Sequence, residues 1–234
     1  GDVTDTTVAV QSRVQLTHRS HGRQVVGILA SGLSQDDITK AKKDGFWGRA
    51  GLLYRAPYPV ANRADLERVL TFARRIPLTF GEGDPAFFDL ALASVANINT
   101  PDLAFLNVKD SSEKGFLNTF NHITAQAFIT SIFSEELADV VADLHERKNM
   151  PELTTGMFTE AQLDNPDNNP VDNYVDIVNN EWGQELGKQL AAQHNIDRTT
   201  HWTAALLADY LNDVQGYYAW AFQIGFEPFR PEDE

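Results

Sequence analysis

Three stretches of this chain carry residues able to do acid, base or metal chemistry. They are Phe120-Asn121-His122 with Gln126, then His145-Glu146, then Asp172, Asp176, Asn179, Asn180, Gly183 and Gly187. On a helix, residues four apart share a face. His122 and Gln126 therefore form one row, Asp172, Asp176 and Asn180 a second, and Asn179, Gly183 and Gly187 its neighbour. Neutral imidazoles of His122 and His145 with the Asp176 carboxylate would make a set suited to zinc or another divalent metal. Glu146 would then be the general base on a bound water, with His122 as its partner. Asn121, Gln126, Asn179 and Asn180 would hold the polar groups of a substrate. A metal-free version keeps Glu146 as acid or base beside His122.

Two observations weigh against the metal. His145-Glu146-Arg147-Lys148-Asn149 has Asn149 where an H-E-x-x-H zinc motif needs its second His. Neighbours on a helix also point about 100° apart, so His145 and Glu146 cannot both face one ion squarely. The competing reading is a buried polar network in which His, Asp and Asn satisfy each other and set helix register. We therefore expect a structural or ligand-binding module acting on a small molecule or protein. A metal-assisted hydrolase using His122, His145, Glu146 and Asp176 is the alternative.

The elements that must position these groups read as helices. Ser34 with Asp37 makes a capping box, and Ser134 caps a later start. Asp84-Pro85 and Thr100-Pro101 place proline at a first helical position, predicting helices over 85–97 and 101–108. Phe46, Trp47, Ala50, Leu53 and Tyr54 repeat at helical spacing, and Asn62 opens a further helix. One more starts at Ser111-Ser112 and carries Phe116, Phe120 and Ile123. Leu137, Val140, Val141 and Leu144 form the inward face of the helix after Ser134. Val171, Tyr174, Val175, Val178, Trp182, Leu186 and Leu190 make another apolar face, and a last helix spans about 199–223. Gly183 and Gly187 each cost about 1 kcal/mol against alanine inside a helix, so a close approach of backbone or ligand is expected there. Strand pattern is confined to the first 30 residues. The fold predicted is all-α, a single domain of about nine or ten helices.

Composition bounds the rest. The chain has 234 residues, no cysteine and a net charge of −14. Disulfides, thiolate nucleophiles and Cys-based zinc sites are thereby excluded. Residues 1–80 carry 12 Lys and Arg against 7 Asp and Glu, whereas residues 81–234 carry 7 against 26. The basic segment 1–80 is expected to pack on the acidic core 81–234. An acidic bulk disfavours nucleic acid. No apolar run reaches the length of a membrane span. The lack of an initiator Met at Gly1 fits removal of a leader or tag, so a periplasmic or secreted location is expected, with a cytoplasmic one left open. The run from Asp164 to Asp172 lacks the Gly and Glu of a calcium loop and reads as a turn. His18, His21, His194 and His201 read as surface residues.

The motifs Phe120-Asn121-His122, His145-Glu146 and Asp176-x-x-Asn179-Asn180-x-x-Gly183 resemble a bacterial domain family of unknown function. That family shows a Phe-Arg-His helix, a His-Glu pair and an Asp-x-x-Asn-Asn-x-x-Gly helix. The likeness covers about residues 116–190 and implies a shared site more than a reaction. Asn121 stands where the family usually has Arg, which weakens any role needing a cation there.

Overall fold

The computed structural model describes residues 13–20, 22–30, 32–72, 86–100, 116–150 and 170–233. Among them are nine α-helices, one two-stranded sheet and a terminal 3₁₀ turn. The protein is all-α. The sheet is a hairpin of β1 (Arg13–Ser20) and β2 (Arg23–Ala30), paired antiparallel with Leu16 opposite Gly27. Strict alternation sets its faces. Val25, Gly27 and Leu29 are buried, while Val26 and Ile28 face outward. Its inner face lies on a later helix so closely that a Cβ at Gly27 would sit 2.9 Å from Ile177 Cγ2.

Four short helices follow: α1 (Gln35–Lys43), α2 (Gly45–Arg55), α3 (Pro57–Ala61) and α4 (Arg63–Phe72). The Ser34 capping box forms as expected, Asp37 Oδ2 accepting from Ser34 N at 2.8 Å and Ser34 Oγ from Asp37 N at 3.3 Å. α4 opens directly after Asn62, as expected, with Asn62 O accepting from Leu66 N at 3.0 Å, while the Asn62 side-chain amide donates back to Tyr58 O. Then come α5 (Phe87–Ala96), α6 (Phe116–Ile132), α7 (Glu135–Asn149), α8 (Pro170–His194) and α9 (Ala204–Phe222). Asp89, one turn inside α5, accepts from Ala86 N at 2.9 Å, and Ser134 Oγ caps α7 through Leu137 N. Asp84-Pro85, the predicted 101–108 helix, Ser111-Ser112, His21 and most of the Asp164–Asp172 run lie outside the described residues.

One boundary, one face and one side chain differ from expectation. The last helix begins at Ala204 with Thr203 as its cap, later than Thr199, because Asp197 Oδ1 takes the Thr199 N–H at 2.7 Å and turns the chain there. On α7 Leu137 is buried as expected, but the buried row continues through Ala138, Ala142 and Glu146, while Val140, Val141 and Leu144 are half-buried. Two alanines let the helix press that row inward, and they carry the carboxylate in with them. His194 is no plain surface residue, since its Nε2 sits 2.7 Å from Asp213 Oδ2.

The core runs through α5, α6, α8 and α9, around Phe120, Phe128, Tyr210 and Tyr218. Phe120 and Tyr218 stack with centroids 3.8 Å apart. Tyr218 donates to Phe120 O at 3.0 Å and Tyr210 meets Ser131 Oγ at 2.8 Å, so both buried phenols are satisfied. On the other side, Arg147 ties the exit of the hairpin to α7, donating to Ala30 O at 2.7 Å and Leu33 O at 3.2 Å.

Candidate functional site

The site begins with how α6 and α8 meet. Gly183 and Gly187 let the helices touch at backbone distance. A Cβ at Gly183 would lie 2.6 Å from Ile123 O, and one at Gly187 2.5 Å from Ala127 O. That contact explains two glycines inside a 25-residue helix, and it is the close approach expected from their spacing.

Beside the seam stands a ladder of polar pairs. Asn118 Nδ2 donates to Asp176 Oδ1 at 3.1 Å, His122 Nδ1 lies 2.9 Å from Asn180 Oδ1, and Gln184 Nε2 donates to Gln126 Oε1 at 3.2 Å. Each rung joins residues 58 apart in sequence, so α6 and α8 run parallel and in step. Asn118, His122 and Gln126 are spaced by four, as are Asp176, Asn180 and Gln184, which is the helical condition for one face.

From the third side α7 adds Glu146. Asn180 Nδ2 donates to Glu146 Oε1 at 3.0 Å. With its amide nitrogen so engaged, Asn180 presents its carbonyl to His122. His122 Nδ1 meets that carbonyl, and Nε2 faces Asp176 Oδ1 at 3.5 Å. Glu146 is 1% exposed, and its second oxygen, Oε2, has no hydrogen-bond partner among the described residues. Burial pushes the Glu146 carboxyl up from the usual 4.5 to about 7. His122 and the Asn180 bond oppose that shift, and the charges of Asp176 and Asp143 add to it.

His145 sits at the rim, exposed, with its ring 6.1 Å from that of His122. Crowding by protein, then by the charges of His122 and Lys148, lowers its pKa from 6.5 to about 4. His145 is therefore neutral at physiological pH.

The upper two rungs floor a cavity of about 1210 Å³. Asn118, Asn121, His122, Gln126, His145, Glu146, Asp176 and Asn180 all line it. Its other walls are largely apolar and come from α1 to α5, among them Ile38, Leu52, Leu66, Val69 and Phe87. Lys42, Arg49 and Arg63 bring the cations of the basic segment to the same space.

Of the residues expected from sequence, His122, Glu146, Asp176 and Asn180 come together here, with Asn121, Gln126 and His145 on the same cavity. Asn179 does not join them. It faces a separate cavity of about 420 Å³ between the hairpin, α6, α8 and α9, beside Tyr174, Trp182 and Trp220. The reason is helical geometry, since Asn179 and Asn180 point about 100° apart. The metal set fares no better. Among the described residues, no three His, Cys, Asp or Glu side chains are placed to hold a metal ion. His145 leaves the rim to solvent, so the donors of His122, His145 and Asp176 do not close on one point.

Sequence reasoning passed over Asn118 and Gln184, although both continue its own rows by one turn. It also missed the walls supplied by α1 to α5, for which no local pattern exists.

Fold and site together define an all-α protein with an amphipathic cavity floored by an inter-helix polar ladder. No protein-family model, curated protein or solved structure matches the chain. The likeness of residues 116–190 to an uncharacterised family therefore rests on the quoted motifs alone.

Proposed function

We propose that this chain is a binding module for an amphiphilic small molecule. The observation that carries the reading is Glu146, a buried carboxyl in the wall of a largely apolar cavity, with one oxygen unpartnered among the described residues. Leaving such a group unpaired costs roughly 1–3 kcal/mol, a cost that a ligand donating to it recovers. Sites of this kind join apolar walls to a few placed polar groups. The apolar body of the ligand lies along Leu52, Leu66 and Val69, and its head reaches Glu146 and Asp176. Two carboxylates favour a head that is cationic or rich in hydrogen-bond donors over an anionic one.

The test is calorimetric titration with octylamine and with octanoate, which share a tail length and differ in head charge. Octylamine is expected to bind and octanoate to bind about tenfold more weakly or not at all, with the preference lost in Glu146→Gln. Equal binding of the two, or none, rejects the reading.

One observation favours hydrolysis as a second reading. A carboxyl that titrates near 7 is suited to take or give a proton at neutral pH. In that reading Glu146 acts as acid or base, and His122, linked to it through Asn180, positions the group. No step runs through a metal, because the donors present do not form a ligand set.

A further inference from the structure

We propose that α2 seats this protein on an anionic lipid surface. Taken at 100° per residue, Phe46, Trp47, Ala50, Leu53 and Tyr54 fall within an arc of about 120°. An apolar stripe of that width ordinarily faces a core. Here it faces outward: Phe46 is 75% exposed, Trp47 81% and Tyr54 91%. The opposite side of the helix is the one held by protein. A Cβ at Gly48 would lie 2.5 Å from Ala41 O of α1, and Leu52 and Arg49 line the main cavity. The orientation is therefore fixed by packing on α1, with the aromatic side left over.

Charge selects the occupant. Around the stripe, Lys40, Lys43 and Arg55 are exposed and lie outside the cavity that Lys42 and Arg49 line, and residues 40–55 hold the single acid Asp44, in a chain whose net charge is −14. Aromatic rings with a polar edge, flanked by long basic side chains, are the residues that settle at a lipid headgroup layer. Each basic side chain near an anionic surface contributes about 1 kcal/mol. The ridge is also convex, on a helix packed chiefly against α1 and α3, and a deformable lipid surface accommodates a ridge without a matching groove. An eleven-residue helix is too short to span, and none of the described helices is long and apolar enough to cross a membrane. The contact is peripheral. It does not depend on what fills the cavity.

The test is co-sedimentation of the full chain with phosphatidylcholine vesicles, with and without a minority of phosphatidylglycerol. The protein is expected to sediment with the anionic vesicles, to leave the neutral ones in solution, and to be released by salt. Trp47→Ala with Tyr54→Ala, and separately Lys43→Glu with Arg55→Glu, are each expected to weaken the partition about tenfold. Circular dichroism verifies that both double variants remain helical. Failure to bind anionic vesicles, equal binding to neutral ones, or unchanged binding by either folded variant overturns the proposal. So does an aromatic-pair variant that converts a dimer to a monomer while the parent ignores vesicles, because the ridge is then an interface between copies.

Discussion

Glycine marks both a tight helix seam and an open helix face in this molecule, for opposite reasons. On α8, Gly183 and Gly187 stand where α6 leaves no room for a Cβ. On α2, Gly51 has nothing within 4 Å of where its Cβ would be. The first pair brings two polar rows into register and carries Asn180 up against Glu146. The second leaves a helix that turns its aromatic stripe outward. The core seam is specified by what must not be there, while the ridge is left exposed among the described residues. A polar group inside and an apolar group outside thus both break the ordinary pattern of burial, and both point to a partner.

The largest effect separating the two regions should come from Gly183→Val. Its added carbons meet the Ile123 carbonyl, which cannot rotate away, and we expect a loss of about 4 kcal/mol or no folded protein at all. Urea unfolding measures it. A stability within 1 kcal/mol of the parent would mean that the α6–α8 seam is looser than described.

Glu146→Gln sharpens the role of the ladder through pH. The folded-state pKa of this carboxyl is raised, so between 4.5 and about 7 the native protein keeps a proton that the unfolded chain has lost. Stability contributed by the neutral acid is therefore full below 4.5 and falls as pH rises toward 7. Replacement by Gln, which can still accept from Asn180, should raise stability by about 3 kcal/mol at pH 8 and change it little at pH 4. Glu181, pushed up to about 8 by burial and then by Asp139 and Glu135, gives the parent a second decline over the same range. The difference between variant and parent isolates Glu146. Melting curves at the two pH values report it.

Asn180→Ala should cost about 2 kcal/mol, because it strips partners from Glu146 and from His122 at once. Double-mutant analysis with Glu146→Gln should recover part of that loss, since the two residues share one bond. Additive effects of the two substitutions would show that the rung and the carboxyl act separately.

Much of the ladder was legible in the sequence because helical rows need only spacing. His122 with Gln126 and Asp176 with Asn180 are readable as pairs four apart, and the glycine row announced a close approach. What was not legible depended on the angle between helices. Asn179 and Asn180 are equal as residue types, and only the seat of α6 decides which one meets His122. On α7 the apolar count favours Val140, Val141 and Leu144, yet small alanines decide which side can press inward, and Glu146 follows them. Caps such as Ser34 and Ser134 were visible because they are local. The cavity was not, for its walls come from five helices whose only shared property is that they stop short of filling it.

The smallest predicted effects lie on the ridge. Gly51→Ala should stabilise the protein by about 0.5–1 kcal/mol, since the helix gains propensity and meets no neighbour. Trp47→Ala should change stability by no more than about 0.5 kcal/mol, because the ring is largely in water. A loss of several kcal/mol at Trp47 would show that the ridge is part of the core.

The most direct measurement is the titration of the Glu146 side-chain carbon by carboxyl-detected NMR, with the protein alone and then with octylamine. A midpoint near 7 is expected for the free protein, falling when the amine enters, because a cationic head favours the ionised carboxylate. A midpoint in the ordinary range near 4.5, unmoved by the amine, would contradict a desolvated carboxyl set at the polar end of a ligand cavity.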